Sequence, residues 1–155
     1  MIGGFSQGAA MSIMLFLSGE LERLGIRRGP GGVTGFVGMS GWLPFRRQVG
    51  EVVSEAGPSD IGKRKAAREY VRRLLLLDPS SCDNEAYLDV PLYLGHGEID
   101  EKVKLQWGQE MRDVLLGLGV NVGLSTYEGL AHWWNEQEIL DLVNVFRQMV
   151  LVDKT

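Results

Sequence analysis

Apolar residues recur along the chain in blocks that alternate between strand-like and helix-like patterns. Short β-rich apolar runs predict three strands, at 33–39, 90–97 and 121–127. Longer blocks predict four helices, at 9–24, 63–77, 104–118 and 135–151, whereas 40–60 looks irregular. The last helix has four apolar residues on one face, with i, i+3, i+4, i+7 spacing: Ile139, Leu142, Val143 and Phe146. Alternating strands and helices predict an α/β fold with a mainly parallel sheet, as a single domain over 1–155.

The composition narrows the classes of protein to which the chain can belong. Its 155 residues are 45% hydrophobic and 23% charged, close to the globular average. The formal net charge of −4 argues against a nucleic-acid partner. The apolar run at 9–17 is too short to span a membrane and has no basic residue before it, so it is not a predicted signal peptide. Cys82 is the only cysteine, which favours a reducing compartment. We therefore expect a cytoplasmic protein without stable membrane insertion.

A serine between glycines stands directly before the first predicted helix. The stretch Gly4-Phe5-Ser6-Gln7-Gly8 fits G-x-S-x-G, the nucleophile elbow. In that motif the serine occupies a strained turn, the glycines avoid Cβ clashes, and the free N–H groups of the helix can stabilise an oxyanion. An ordinary glycine-rich turn is the alternative, but the position before an apolar helix favours the nucleophile.

A serine nucleophile needs a base, and the chain has two histidines. His132 follows the strand predicted at 121–127, at the sheet edge where ligands bind in open α/β folds, so we interpret it as the base. His96 is interpreted as a residue that shapes a turn. The acid lies between serine and histidine in this architecture, which predicts Asp100, with Glu98 as a competitor. The alternative is that both acids are solvated loop residues.

Four sequence blocks occur in an order that resembles one known family. They are GGFSQGA at 3–9, GWLP at 41–44, HGEIDEKV at 96–103 and YEGLAHW at 127–133. Together they resemble the acyl-protein thioesterase/lysophospholipase–carboxylesterase family of α/β-hydrolases, and its fungal members in particular. The resemblance covers nearly the whole chain and is weakest over 50–89. Glu98 stands where many relatives have aspartate, which leaves Asp100 in place.

The resemblance implies a serine hydrolase that cleaves acyl thioesters of proteins or small carboxylic esters. It implies Ser6 as nucleophile, Asp100 as acid and His132 as base, with no metal or organic cofactor. Gln7 would lend its backbone N–H to the oxyanion hole. The segment 40–44 would lie beside the site and line the acyl groove, with Trp42 and Leu43 as substrate-binding residues.

The family carries roughly the first half of its fold before the elbow, whereas Ser6 is the sixth residue here. We therefore expect the C-terminal portion of an α/β-hydrolase fold, with activity weakened because a second oxyanion donor comes from that first half. An exposed sheet edge would then favour homodimers or aggregation. The alternative function is an inactive α/β-hydrolase remnant that acts as a binding module. A dienelactone-type hydrolase ranks lower, because that family commonly uses a cysteine nucleophile and Cys82 lies in no elbow.

Overall fold

Four short parallel strands form the centre of the fold. A computed structural model describes residues 1–26, 32–78 and 88–151; Cys82 lies outside these ranges. The strands are consecutive neighbours in one sheet, in the order β1-β2-β3-β4, and every pairing is parallel. They span β1 Ile2–Phe5, β2 Phe36–Met39, β3 Leu92–Gly97 and β4 Val122–Tyr127. The predicted α/β class with a parallel sheet is confirmed.

Six helices complete the described part of the chain. They are α1 Gln7–Leu17, α2 Glu20–Arg23, α3 Arg46–Glu55, α4 Asp60–Leu74, α5 Leu105–Gly117 and α6 Glu136–Leu151. The helix predicted at 9–24 is in fact two helices, because Gly19 has a φ of 67° and interrupts the helical path. No helix in the described ranges is both long enough and apolar enough to cross a bilayer.

Helix α3 lies within a segment that the sequence predicted to be irregular. It begins after Phe45, which has a left-handed φ of 55°, and it has few apolar residues. Val49 and Val53 are nevertheless buried on one face, four residues apart. An ion pair between Arg46 and Glu110 joins α3 to α5. Tertiary packing therefore stabilises a helix whose own pattern is weak.

The two faces of the sheet are covered unequally. The main core lies on the side of α1, α3 and α5, where Phe36, Leu92 and Leu94 point from the strands. Helix α6 covers part of the other face, where Leu142 packs with Val37 and Tyr93.

The apolar face of α6 is buried only in part. Only Leu142 is buried, whereas Ile139, Val143 and Phe146 are 37–40% exposed. The sheet-facing side of the helix instead includes the fully buried Glu138. Its carboxyl packs against the backbone of Gly95, where an added Cβ would lie 2.2 Å from Glu138 Oε1. A glycine on β3 therefore leaves room for a polar side chain that an apolar pattern cannot predict.

Candidate active site

Ser6 occupies the sharp turn between β1 and α1. Its φ of 55° and ψ of −120° are rare for a residue with a side chain, as expected for a nucleophile elbow. The Ser6 N–H donates to Met39 O at 2.8 Å, which fixes the turn to β2. Gln7 is the first residue of α1, so its N–H has no acceptor one turn earlier within the helix.

The glycines that flank the serine contribute differently. A Cβ at Gly4 would lie 2.6 Å from the backbone carbon of Gly8 and 2.9 Å from Ala9 N, so β1 and α1 approach too closely for a side chain. Apart from the backbone of α1 itself, a Cβ at Gly8 would meet no atom of the described residues within 4 Å. The expectation that both glycines avoid clashes therefore holds for Gly4 and is wrong for Gly8.

Ser6, His132 and Asp100 form one continuous hydrogen-bonded chain. His132 Nε2 lies 2.9 Å from Ser6 Oγ, and His132 Nδ1 lies 2.7 Å from Asp100 Oδ2. An ionised carboxylate only accepts, so Nδ1–H donates to Asp100, and the lone pair on Nε2 is free to accept the serine hydroxyl proton. The structure thus brings together three side chains that are far apart in sequence, in the arrangement that general-base activation of a serine requires.

The Asp100 carboxylate is held by its own turn. Its Oδ1 accepts from the N–H groups of Lys102 and Val103, both at 2.9 Å. Burial alone raises the pKa of Asp100, but the hydrogen bond from His132 and these two backbone donors outweigh burial, so the pKa is lowered. The carboxylate is therefore ionised at neutral pH and available to orient the imidazole.

The other two candidates at this edge do not take the places of His132 and Asp100, although His96 Nε2 lies 3.6 Å from Asp100 Oδ2. His96 is buried, its Nε2 lies 2.8 Å from Val103 O, and burial lowers its pKa. A neutral ring whose Nε2–H donates to that carbonyl closes the turn that carries Asp100, in line with the predicted turn-shaping role. The Glu98 carboxylate accepts a hydrogen bond from Thr126 Oγ1 at 2.9 Å.

A pocket of about 430 Å³ opens beside Ser6. Its lining comprises Phe5, Ser6, Gln7, Trp42, Lys102, Val103 and His132. Trp42 therefore lies beside Ser6, in the region where the resemblance implied a substrate-binding residue. Leu43 does not: it is fully buried in the main core, because the chain turns inward after Trp42.

Sequence reasoning did not single out three of these lining residues. Phe5, Lys102 and Val103 are chain neighbours of Ser6 and Asp100. A residue next to a nucleophile or to a carboxylate in a turn is a candidate for the pocket wall. Their position next to Ser6 and Asp100 in the sequence could therefore have identified these residues.

The fold and the triad-like geometry define a class: the chain has a partial α/β-hydrolase fold. It superposes on an acyl-protein thioesterase 2 from Zea mays with a TM-score of 0.64 and 24% identity, covering 95% of this chain and 54% of that one. It superposes on Arabidopsis thaliana SOBER1 with a TM-score of 0.61 and 21% identity, covering 96% and 52%. At these identities the likeness defines the fold.

Within that class, the curated relatives that the sequence matches are acyl-protein thioesterases. Acyl-protein thioesterase 1 of Candida albicans is 27% identical over 150 residues, covering 96% of this chain and 49% of the relative. Acyl-protein thioesterase 1 homolog 1 of Dictyostelium discoideum is 30% identical over 145 residues, covering 94% and 46%. The chain thus spans about half the length of these relatives. No protein-family model matches the sequence. The resemblance inferred from the four sequence blocks is confirmed.

Proposed function

We propose that the chain is a serine hydrolase of the acyl-protein thioesterase/carboxylesterase type. Ser6, His132 and Asp100 would form its catalytic triad. The observation that carries the proposal is the unbroken chain of contacts at 2.9 and 2.7 Å from Ser6 Oγ through His132 to Asp100, on the wall of an open pocket. The acyl-protein thioesterase relatives support the same class of chemistry.

In the acylation half of the reaction, Ser6 Oγ attacks the acyl carbonyl while His132 Nε2 takes the hydroxyl proton. Asp100 stabilises the imidazolium that forms. Negative charge develops on the carbonyl oxygen, and the Gln7 N–H at the positive end of α1 stabilises it. His132 then returns its proton to the departing oxygen or sulfur.

In the deacylation half, water replaces the leaving group and attacks the Ser6 ester, with His132 again as the base. We propose that acylation and deacylation are both slow in the chain alone. α/β-Hydrolases commonly use two backbone oxyanion donors, and α1 supplies one, through Gln7. Loss of one such donor costs about 10²- to 10³-fold in rate.

The proposed substrates are an acylated protein, through its thioester, or a small carboxylic ester. Both present an acyl carbonyl to Ser6, and Trp42 and Val103 give the pocket an apolar wall for the acyl group. A cytoplasmic location completes the proposal and is supported by the single cysteine of the chain.

Hydrolysis of 4-nitrophenyl acetate and octanoate, together with labelling by a fluorophosphonate probe, tests the proposal. We expect slow hydrolysis and labelling of Ser6, both abolished in Ser6→Ala. Ser54→Ala is the matched control, because Ser54 lies on α3 with its hydroxyl bonded to Glu51 O. Labelling at another residue, or unchanged activity in Ser6→Ala, would overturn the triad. No hydrolysis and no labelling in the folded wild type would favour the binding-module alternative.

A further inference from the structure

Three aromatic rings form a row that begins at His132. The Phe5 ring centroid lies 5.0 Å from that of His132 and 6.2 Å from that of Trp133. The indoles of Trp133 and Trp134 lie 5.9 Å apart, with 23° between their planes, which is a stacked geometry. We call Phe5, Trp133 and Trp134 the aromatic row.

The outer part of this row is open to solvent. Trp133 is 59% exposed and Trp134 is 47% exposed. Phe5 belongs both to the row and to the wall of the pocket beside Ser6. The row is therefore a continuation of that pocket, on the side of the histidine.

The chemistry at His132 determines which part of a substrate lies on this side. After Ser6 attacks, the bond between the acyl carbon and the leaving oxygen or sulfur breaks, and the leaving atom keeps the electron pair. It takes its proton from His132 Nε2–H, so it must come within hydrogen-bond reach of that nitrogen. Whatever is attached to the leaving atom then extends past His132, where the aromatic row begins.

We propose that the aromatic row binds the leaving-group portion of the substrate, and that it selects alcohols or thiols that carry a flat or bulky apolar group. This inference rests on the proposed hydrolase function. Stacked indoles offer a broad apolar face with little loss of side-chain entropy, which suits such a group. The leaving group departs before water attacks the acyl-enzyme, so the row acts in acylation alone.

The test compares two acetate esters with the variants Trp133→Ser and Trp134→Ser. One ester, 2-naphthyl acetate, has a flat apolar leaving group, and the other, 2,2,2-trifluoroethyl acetate, has a small one. The ratio of wild type to variant cancels the intrinsic reactivity of each ester. We expect kcat/KM for the naphthyl ester to fall roughly three- to tenfold, the worth of one or two aromatic contacts. The trifluoroethyl ester and the deacylation rate constant should not change.

Two controls keep failure of this inference separate from failure of the hydrolase proposal. A small fluorophosphonate loses only fluoride, so it should label Ser6 equally fast in wild type and in both variants. Leu116→Ser, which removes a 52% exposed side chain from α5, should leave both esters unaffected. Equal losses of kcat/KM for the two esters would overturn the inference. A changed deacylation rate would also overturn it, because the aromatic row would then contact the acyl chain. Failure of the wild type to label at Ser6 would instead overturn the hydrolase function.

Discussion

Glu138 provides a test of how burial controls the stability of this fold. Its side chain is fully buried between α6 and β3, and neither carboxyl oxygen has a hydrogen-bond partner among the residues that the structure describes. Burial, with a smaller contribution from the nearby Asp141 carboxylate, raises the pKa of Glu138 to about 7. Tyr93 and Tyr127, the other titratable groups on this face, have pKa values raised by burial and remain neutral in the working range.

Proton linkage determines whether this raised pKa increases or decreases the stability of the fold as pH changes. The usual pKa of glutamate is 4.5. Below that pH, Glu138 is protonated in both the folded and the unfolded chain, so its titration does not lower the free energy of unfolding. As pH rises further, the unfolded chain releases the proton while the folded chain keeps it, so stability falls until the pH exceeds about 7. The full loss is about 3 kcal/mol, from 1.36 kcal/mol for each pKa unit.

Glu138→Gln removes the titration while keeping the shape and leaving a similarly unpartnered polar group. We expect the variant to be within about 1 kcal/mol of wild type near pH 5 and to be more stable at pH 8 by about 3 kcal/mol. For a chain of this size that is roughly 6–12 °C in Tm, which thermal unfolding from pH 4.5 to 8.5 will measure. Glu136→Gln makes the same charge change on an exposed residue of the same helical turn and should show no such divergence. A Glu138→Gln curve parallel to wild type at all pH values would refute the reasoning.

Substitutions at Asp100, His96 and Gly4 probe the site further. Asp100→Asn should keep the fold and lower kcat about 10⁴-fold, as expected when the imidazole takes the wrong tautomer, with esterase kinetics and circular dichroism as the two readouts. His96→Phe loses the contact with Val103 O and should lower kcat roughly ten- to hundredfold at unchanged KM. His96→Gln should recover most of the lost kcat. If the two variants lose the same amount of kcat, a positioning role for His96 is excluded. Gly4→Ala should lower stability by about 1–3 kcal/mol through its clash with the α1 backbone, whereas Gly8→Ala should not, as Tm measurements will show.

The geometry of the proposed triad could be predicted from the sequence, because it depends on short-range patterns and one rule of topology. The G-x-S-x-G stretch predicts the elbow at Ser6, and the ends of parallel strands meet at one sheet edge, which gathers Asp100 and His132. Both conditions hold in the structure, since all strand pairings are parallel. Helix α3 was not predictable in the same way, because its two buried valines are a weak signal without the contacts to α5.

The burial of individual side chains was the hardest property to infer from the sequence. Trp42 and Leu43 are adjacent and both apolar, yet one lines the pocket and the other is in the core. Glu138 is buried because Gly95, far away in sequence, leaves space for it. Both outcomes depend on which face of an element meets a neighbour, and that is determined by tertiary packing and not by local hydropathy.

The backbone of β1 has one side without a strand partner in the described sheet. The N–H groups of Ile2 and Ser6 point toward β2, with hydrogen bonds of 3.1 and 2.8 Å. Backbone groups alternate in direction along a strand, so the N–H groups of Gly3 and Phe5 point to the open side. An open edge of this kind pairs readily with another strand. We therefore propose that the chain associates with a second copy of itself through β1.

The surroundings of this edge favour burial and indicate how to test the association. A recess of about 390 Å³ beside β1 has an almost entirely apolar lining that includes Ile2, Leu142 and Phe146, and Phe146 is 40% exposed. A paired copy would cover it, so Phe146→Lys would place a charge in the interface at little cost to the monomer. Size-exclusion chromatography with light scattering should show dimers or larger species for wild type and for the remote control Leu116→Lys, and monomers for Phe146→Lys. A wild type that stays monomeric over a wide concentration range, with a cooperative thermal transition, would contradict the proposal, because the edge would then be stable without a partner strand.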